Sequence, residues 1–263
     1  MKKIQLKKVN HNIKIGDICE PKEPNIKEDC LFYEGEKIVG FFLKDLPKYS
    51  KKLNNFISIA DKEFRSKNVP KSSMNRTSGE QGQTEKVQQY STIIGATPPR
   101  PHMRRPYPSM SSVHNEPKAK TFIKAMLLAL REGEKIIKEI IPEQYEFQKK
   151  CIEENVPKEF RLGNLFTSSI SNYNISAPFH RDNANLKNCV NLIITKKQGA
   201  KGGNLHVPDY DATMDSADNS MLVYPAWKNV HGVTPIEPLI KGGYRNSLIF
   251  YPLKSFKKYV KKV

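Results

Sequence analysis

LFTSSISNYNISAPFHRDNANLKNCVNLIITKKQGAKGGNLHV, residues 165–207, contains the change of period that decides the fold. Upstream of it the apolar residues recur at helical spacing. From Gly163 onward they fall in short extended runs, at 165–171, 190–195 and 204–207, and then at 221–224, 229–233 and 245–251. Gly199, Gly202, Gly203, Gly242 and Gly243 punctuate them as turn residues should. No helix-length periodic segment interrupts this half. Short strands in succession imply a sandwich, a barrel or a jelly roll.

The preceding segment, PKAKTFIKAMLLALREGEKIIKEII (117–141), reads as a helix. Pro117 suits a first turn, and Phe122, Met126, Ala129 and Leu130 share one side. A second helix is expected over 143–154. Both are expected to buttress the sheet. Nearer the start, KIVGFFLK (37–44) has strand composition. From Pro47 a helix is expected, with Tyr49, Leu53, Phe56, Ala60 and Phe64 on one face. Residues 66–89 are polar and read as a loop or linker. Residues 97–110, TPPRPHMRRPYPSM, hold five prolines, which exclude a regular helix or central strand. That stretch is either a surface connector or a stiff arm carrying Arg100, Arg104 and Arg105 to an anion. The expected organisation is an N-terminal strand and helix extension (1–70), a polar and Pro/Arg-rich loop (71–116), and a catalytic core (117–263).

Composition limits the partners. The chain has 263 residues, 38% of them hydrophobic, and a formal net charge of +17. Such a surplus attracts polyanions, although a Lys-rich solvated surface accounts for it equally well. The four cysteines have no zinc-site spacing, so reduced thiols and an intracellular setting are expected. The opening MKKIQLKKVN lacks the apolar core of a secretory signal, and no apolar run has bilayer length. A soluble monomer without membrane contact is expected.

Chemistry enters with His180-Arg181-Asp182. At i and i+2 of an extended strand, an imidazole and a carboxylate share a face. His231 follows in KNVHGVTP (228–235). Two histidines and one carboxylate on one metal leave open positions, as non-haem Fe(II) oxygenases require. On these three residues alone, a zinc site or a hydrogen-bonded core histidine stands beside that reading. Arg245 and Ser247, also at i and i+2, add a guanidinium that can fork onto a carboxylate and a hydroxyl that can join it. This is the chemistry needed to hold the distal carboxylate of 2-oxoglutarate. Arg245 leads into the apolar SLIFY, where an unpaired charge is costly.

HRDNAN (180–185) and RNSLIFY (245–251) resemble the signatures of TET/JBP-type dioxygenases. EFRLGNLFTSSIS (159–171) and NLHVPDY (204–210) are similar to segments of the same catalytic domain, so the resemblance covers roughly 90–253. It implies an α+β protein with a double-stranded β-helix (jelly-roll) core, using Fe(II), 2-oxoglutarate and O2 to oxidise the 5-methyl group of a flipped pyrimidine in DNA. The product from 5-methylcytosine would be 5-hydroxymethylcytosine, with further oxidation open. Carried over by position, His180, Asp182 and His231 match the iron ligands, and Arg245 and Ser247 the 2-oxoglutarate anchors. Asn185 matches a residue that hydrogen-bonds the base, and Tyr251 the ring on which the base stacks. Arg104 would contact 2-oxoglutarate and Arg105 the substrate. Leu253 stands where the family carries a second base-contacting histidine. That leaves thymine in DNA, or a substrate that is not a nucleic acid, as alternatives. The Cys-rich zinc region of vertebrate members is absent, as in a compact microbial or viral type.

Overall fold

The computed structural model describes residues 1–73 and 88–259. In chain order the elements are β1 (Lys2–Gln5), β2 (Cys30–Glu34), β3 (Lys37–Leu43), α1 (Lys51–Arg65), β4 (Ser72–Ser73), β5 (Tyr90–Thr97), β6 (Ser109–Met110), α2 (Lys120–Ile140) and α3 (Pro142–Asn155). Then come β7 (Ser168–Tyr173), β8 (Ala177–His180), β9 (Asn191–Gln198), β10 (Ala200–Gly202), β11 (Leu205–Val207), β12 (Ala212–Met214), β13 (Ser220–Tyr224), β14 (His231–Val233), β15 (Ile236–Pro238) and β16 (Tyr244–Tyr251). The larger sheet runs β1-β2-β3-β13-β9-β16-β7-β5-β4, with β6 on β5, and a smaller one runs β12-β11-β14-β8. Two facing sheets with helices behind the larger one form the helix-buttressed jelly roll expected from the sequence. Among the described residues, no helix is long and apolar enough to cross a membrane.

Strand alternation decides which side chains meet the helices. Leu192 and Ile194 of β9, Met221 and Val223 of β13, and Leu248 and Phe250 of β16 pack with Leu53, Ile57 and Phe64 of α1 and Phe122, Met126 and Leu130 of α2. Each such side chain contributes roughly 1.5–3 kcal/mol by leaving water. The alternate residues Ile193, Leu222 and Tyr224 turn the other way, toward Leu205, Val207, Ala212 and Met214 of the smaller sheet. Buried Glu134 of α2 accepts from the backbone N–H groups of Asn164 and Leu165, which fixes the entry to β7. Gln148 of α3 donates to the carbonyls of Leu165 and Val190 and accepts from Val190 N–H, which ties β7 and β9 to the helices.

Several boundaries differ from expectation. The first helix starts at Lys51, where the Ser50 side chain caps it by accepting from Leu53 N–H. Tyr49 lies outside the helix, exposed, and donates its hydroxyl to Asp29. Within the stretch assigned to the 71–116 loop, Tyr90–Thr97 is a strand, paired with β7 over Tyr90–Gly95 and with β6 at Ala96 and Thr97. The N-terminal strands continue the larger sheet, because β3 pairs with β13. Of the polar 66–89 segment, residues 74–87 lie outside the described residues.

Candidate active site

β8 and β14 are antiparallel neighbours in the smaller sheet, and their register sets His231 directly across from His180. The two rings lie 4.3 Å apart between centroids. Asp182 is not on the strand as its spacing suggested. β8 ends at His180, and Asp182 sits in the turn beyond, its N–H bonded to the carbonyl of Ala226. The turn nonetheless brings its carboxylate to 3.7 Å from His180 Nε2. One ligand atom from each of the three residues lies within 4.8 Å of the others. His180 Nδ1 bonds the carbonyl of Pro178 at 2.8 Å, and His231 Nδ1 that of Asn229 at 3.0 Å. Both Nδ1 atoms must carry the proton, so both Nε2 lone pairs face the cluster. Burial, and then His180, pushes His231 down to about 4, which keeps it in the neutral, ligating form.

A polar chain supports the carboxylate. Asn191, at the start of β9, donates to Asp182 Oδ2 at 2.9 Å. Asn185 donates to Asn191 Oδ1 at 2.8 Å and approaches Asp182 Oδ2 at 3.4 Å. The sequence reading passed over Asn191. Its signal was present, a lone amide opening the apolar run VNLIIT (190–195) on the inward register.

Arg245 and Ser247 lie on the inward face of β16, both buried. Arg245 donates from Nη1 to Ser247 Oγ at 3.1 Å. Its Nε has no hydrogen-bond partner, and among the described residues Arg245 forms no ion pair. Burial alone pushes it down to about 10. The backbone behind it is fixed: Arg245 N–H donates to Asn174 Oδ1, and neighbouring Asn246, on the helix side, donates to buried Asp61. Lys197 pairs with Arg245 across β9 and β16. Burial, and then Arg245, pushes it down to about 8. A buried guanidinium with an orphan donor and a second cation beside it make a site for an anion.

One cavity of about 450 Å³ joins these groups. His180, Asp182, His231, Arg245, Ser247, Asn185, Tyr251 and Leu253 all line it. So does Tyr224, another residue the sequence reading missed, whose ring meets that of His231 edge-on at 5.5 Å. Burial and then Asp182 push the Tyr251 phenol up to about 12. Arg104 and Arg105 are not brought to this cavity. The turn at Pro101–Met103, the left-handed backbone of Arg104 (φ 57°) and the bridge between Arg100 and Arg105 hold both side chains at the surface. Arg100 is the arginine of this segment that acts on Tyr251.

The donor set fits a divalent metal, and the unpaired Arg245 fits a carboxylate cosubstrate. The Tet_JBP family model, described as the oxygenase domain of the 2OGFeDO superfamily, matches residues 99–254. The chain belongs to the TET/JBP oxygenase family. It is therefore a 2-oxoglutarate-dependent dioxygenase, and the cofactors of TET/JBP enzymes are Fe(II), 2-oxoglutarate and O2. Among solved structures it is similar to NgTET1 in complex with 5mC DNA, at 13% identity over 94% of this chain and 84% of that one, with a TM-score of 0.48. It is also similar to a 2OG-Fe(II) oxygenase family oxidoreductase from Burkholderia pseudomallei, at 12% identity over 78% and 81% of the chains (TM-score 0.46). A prolyl hydroxylase from Trichoplax adhaerens, in complex with a hypoxia inducible factor peptide, aligns at 12% identity over 81% and 83% (TM-score 0.42). A comparison with curated proteins finds no match.

Proposed function

We propose that this TET/JBP oxygenase oxidises the 5-methyl group of a pyrimidine base flipped out of DNA, with 5-methylcytosine as the substrate. The observation that carries this reading is that Asn185 and Tyr251 line the same cavity as the metal cluster and Arg245. An amide and an aromatic ring are what a base needs for edge recognition and stacking. A base methyl inside a duplex is out of reach, so extrusion is obligatory, and a chain of net charge +17 suits the backbone clamping that extrusion requires.

In this reading His180, Asp182 and His231 hold the iron, with Asn191 orienting the carboxylate of Asp182. Arg245 and Ser247 fix the distal carboxylate of 2-oxoglutarate, and Lys197 adds positive charge beside it. Fe(II) with 2-oxoglutarate and O2 supplies the oxidising power that an unactivated methyl C–H requires. Ile193, Leu205 and Val233 line the cavity between these ends and keep water from the reacting atoms. Asn185 receives the pyrimidine edge and Tyr251 its face.

The test is incubation with Fe(II), 2-oxoglutarate and DNA holding both thymine and 5-methylcytosine, followed by nucleoside mass spectrometry. 5-Hydroxymethylcytosine is the expected product, and the absence of any 5-hydroxymethyl pyrimidine would overturn the reading. Leu253 favours a second outcome, hydroxylation of thymine. It lines the cavity with an apolar side chain where the family pattern has a histidine, so the base edge finds no donor there. Succinate formation that DNA does not stimulate would instead point to a substrate outside nucleic acids. Asn185→Ala is expected to reduce base oxidation more than DNA-free 2-oxoglutarate decarboxylation, and equal losses would contradict its role.

A further inference from the structure

A second cavity, of about 430 Å³, lies beside the first, between β5 and the Pro-rich segment that follows it. Lys71, Arg100 and Arg105 line it together with hydroxyl side chains, and among the described residues no carboxylate does. Among the described residues none of these three cations has an ion-pair partner. The backbones of two of them are tied to each other. Arg100 N–H donates to the carbonyl of Arg105 at 2.6 Å, and Arg105 N–H returns a bond to the carbonyl of Arg100 at 3.1 Å. Lys71 is half-buried, with its ammonium over the Tyr90 ring at 5.1 Å and bonded to the carbonyl of Ser66. A groove lined by cations and hydroxyls, with no acid among the described residues, recognises phosphate oxygens. Its position narrows the choice among phosphate ligands. Ser91 and Ile93 of β5, which line this groove, pair directly with Asn172 and Ile170 of β7, which line the catalytic cavity.

We propose that this groove is the seat of the DNA sugar-phosphate backbone next to the flipped nucleotide, with Lys71, Arg100 and Arg105 on successive phosphates. The proposal rests on the reading of the catalytic cavity as a base pocket. A base that enters past Tyr251 carries its own strand to the mouth beside Arg100. Neighbouring phosphates of that strand then run into the groove. These contacts carry no sequence information, so they set affinity and register.

The experiment titrates the full chain with a fluorescein-labelled duplex holding one 5-methylcytosine, across about 50 to 200 mM NaCl. Combined Lys71→Ala, Arg100→Ala and Arg105→Ala is expected to reduce the slope of log affinity against log salt by about one per cation removed. Affinity at physiological salt should fall about tenfold or more. Because the Lys71 stem packs on Tyr90, the double variant Arg100→Ala with Arg105→Ala is measured alongside, with an expected slope loss of about two. The comparison variant removes three exposed helix lysines, Lys51, Lys52 and Lys124, and is expected to keep the wild-type slope. An unchanged slope in the groove variants, or an equal loss in the helix-lysine variant, overturns the groove while leaving the base pocket standing. A wild-type chain that neither binds nor oxidises the duplex overturns both.

Discussion

The two faces of the larger sheet share the same strands yet do opposite things. On β9 and β16, Leu192, Ile194, Leu248 and Phe250 face the helices and are fully buried hydrocarbon. One residue out of step, Asn191, Lys197, Arg245 and Ser247 face inward, polar or charged, and Arg245 has an unpaired donor. The first face holds the chain folded. The second keeps polar groups out of water in readiness for ligands, at a cost to stability. Because the pleat has period two, substitutions on adjacent residues should separate folding from chemistry almost cleanly.

The strongest break in this comparison is expected at the metal cluster. Asp182→Ala should abolish iron binding, read by metal analysis, and turnover, read by succinate formation, while the melting temperature of the metal-free protein changes little. A comparable drop in melting temperature would mean that Asp182 also holds the fold. Next in size, Phe250→Ala should destabilise the protein by about 3–5 kcal/mol through the cavity it leaves. Denaturant unfolding measures this, and the folded fraction should retain its 2-oxoglutarate requirement. Arg245→Met sharpens the contrast. It should raise the 2-oxoglutarate requirement about a hundredfold, as expected when a buried charge pair loses one partner at about 3 kcal/mol. The ligand-free protein should melt no lower, since a buried unpaired cation has been replaced by hydrocarbon. The smallest effect belongs to Ser247→Ala, about 1 kcal/mol or several-fold in the 2-oxoglutarate KM, with kcat nearly unchanged.

The same two faces explain what was legible in the sequence. Short apolar, β-branched and aromatic runs bounded by polar and turn residues, VNLIIT and SLIFY, exposed β9 and β16, and helical spacing exposed α1 and α2. His180, Asp182, His231 and Arg245 were legible because few side chains carry such chemistry. β5 was missed because its residues, YSTIIGAT, sit between a polar stretch and a proline cluster. Its burial comes from β7 and cannot be read locally. β8 is four residues with a proline, and β10, β12 and β15 are three each, too short for periodicity to register, whereas β11 and β14 fall inside the extended runs read at 204–207 and 229–233. Asn191 and Lys197 derive their importance from cross-strand neighbours far away in sequence. Arg104 and Arg105 looked equivalent to Arg100 in a run of arginines, and only the turn geometry distinguishes Arg100.

The pairing of β3 with β13 bears on how this enzyme can be trimmed. Similarity to the family begins at residue 99, which invites expression of the matched segment alone. A chain cut there would lose β1 to β3, α1 and β5. β13 would be left with open N–H and C=O groups along one side, and Phe122 and Met126 would lose their α1 partners. A bare hydrophobic sheet edge templates self-association. Such a fragment should therefore precipitate or form inclusion bodies although it contains His180, Asp182, His231 and Arg245. The boundary of recognisable ancestry and the boundary of physical self-sufficiency fall at different residues in this chain.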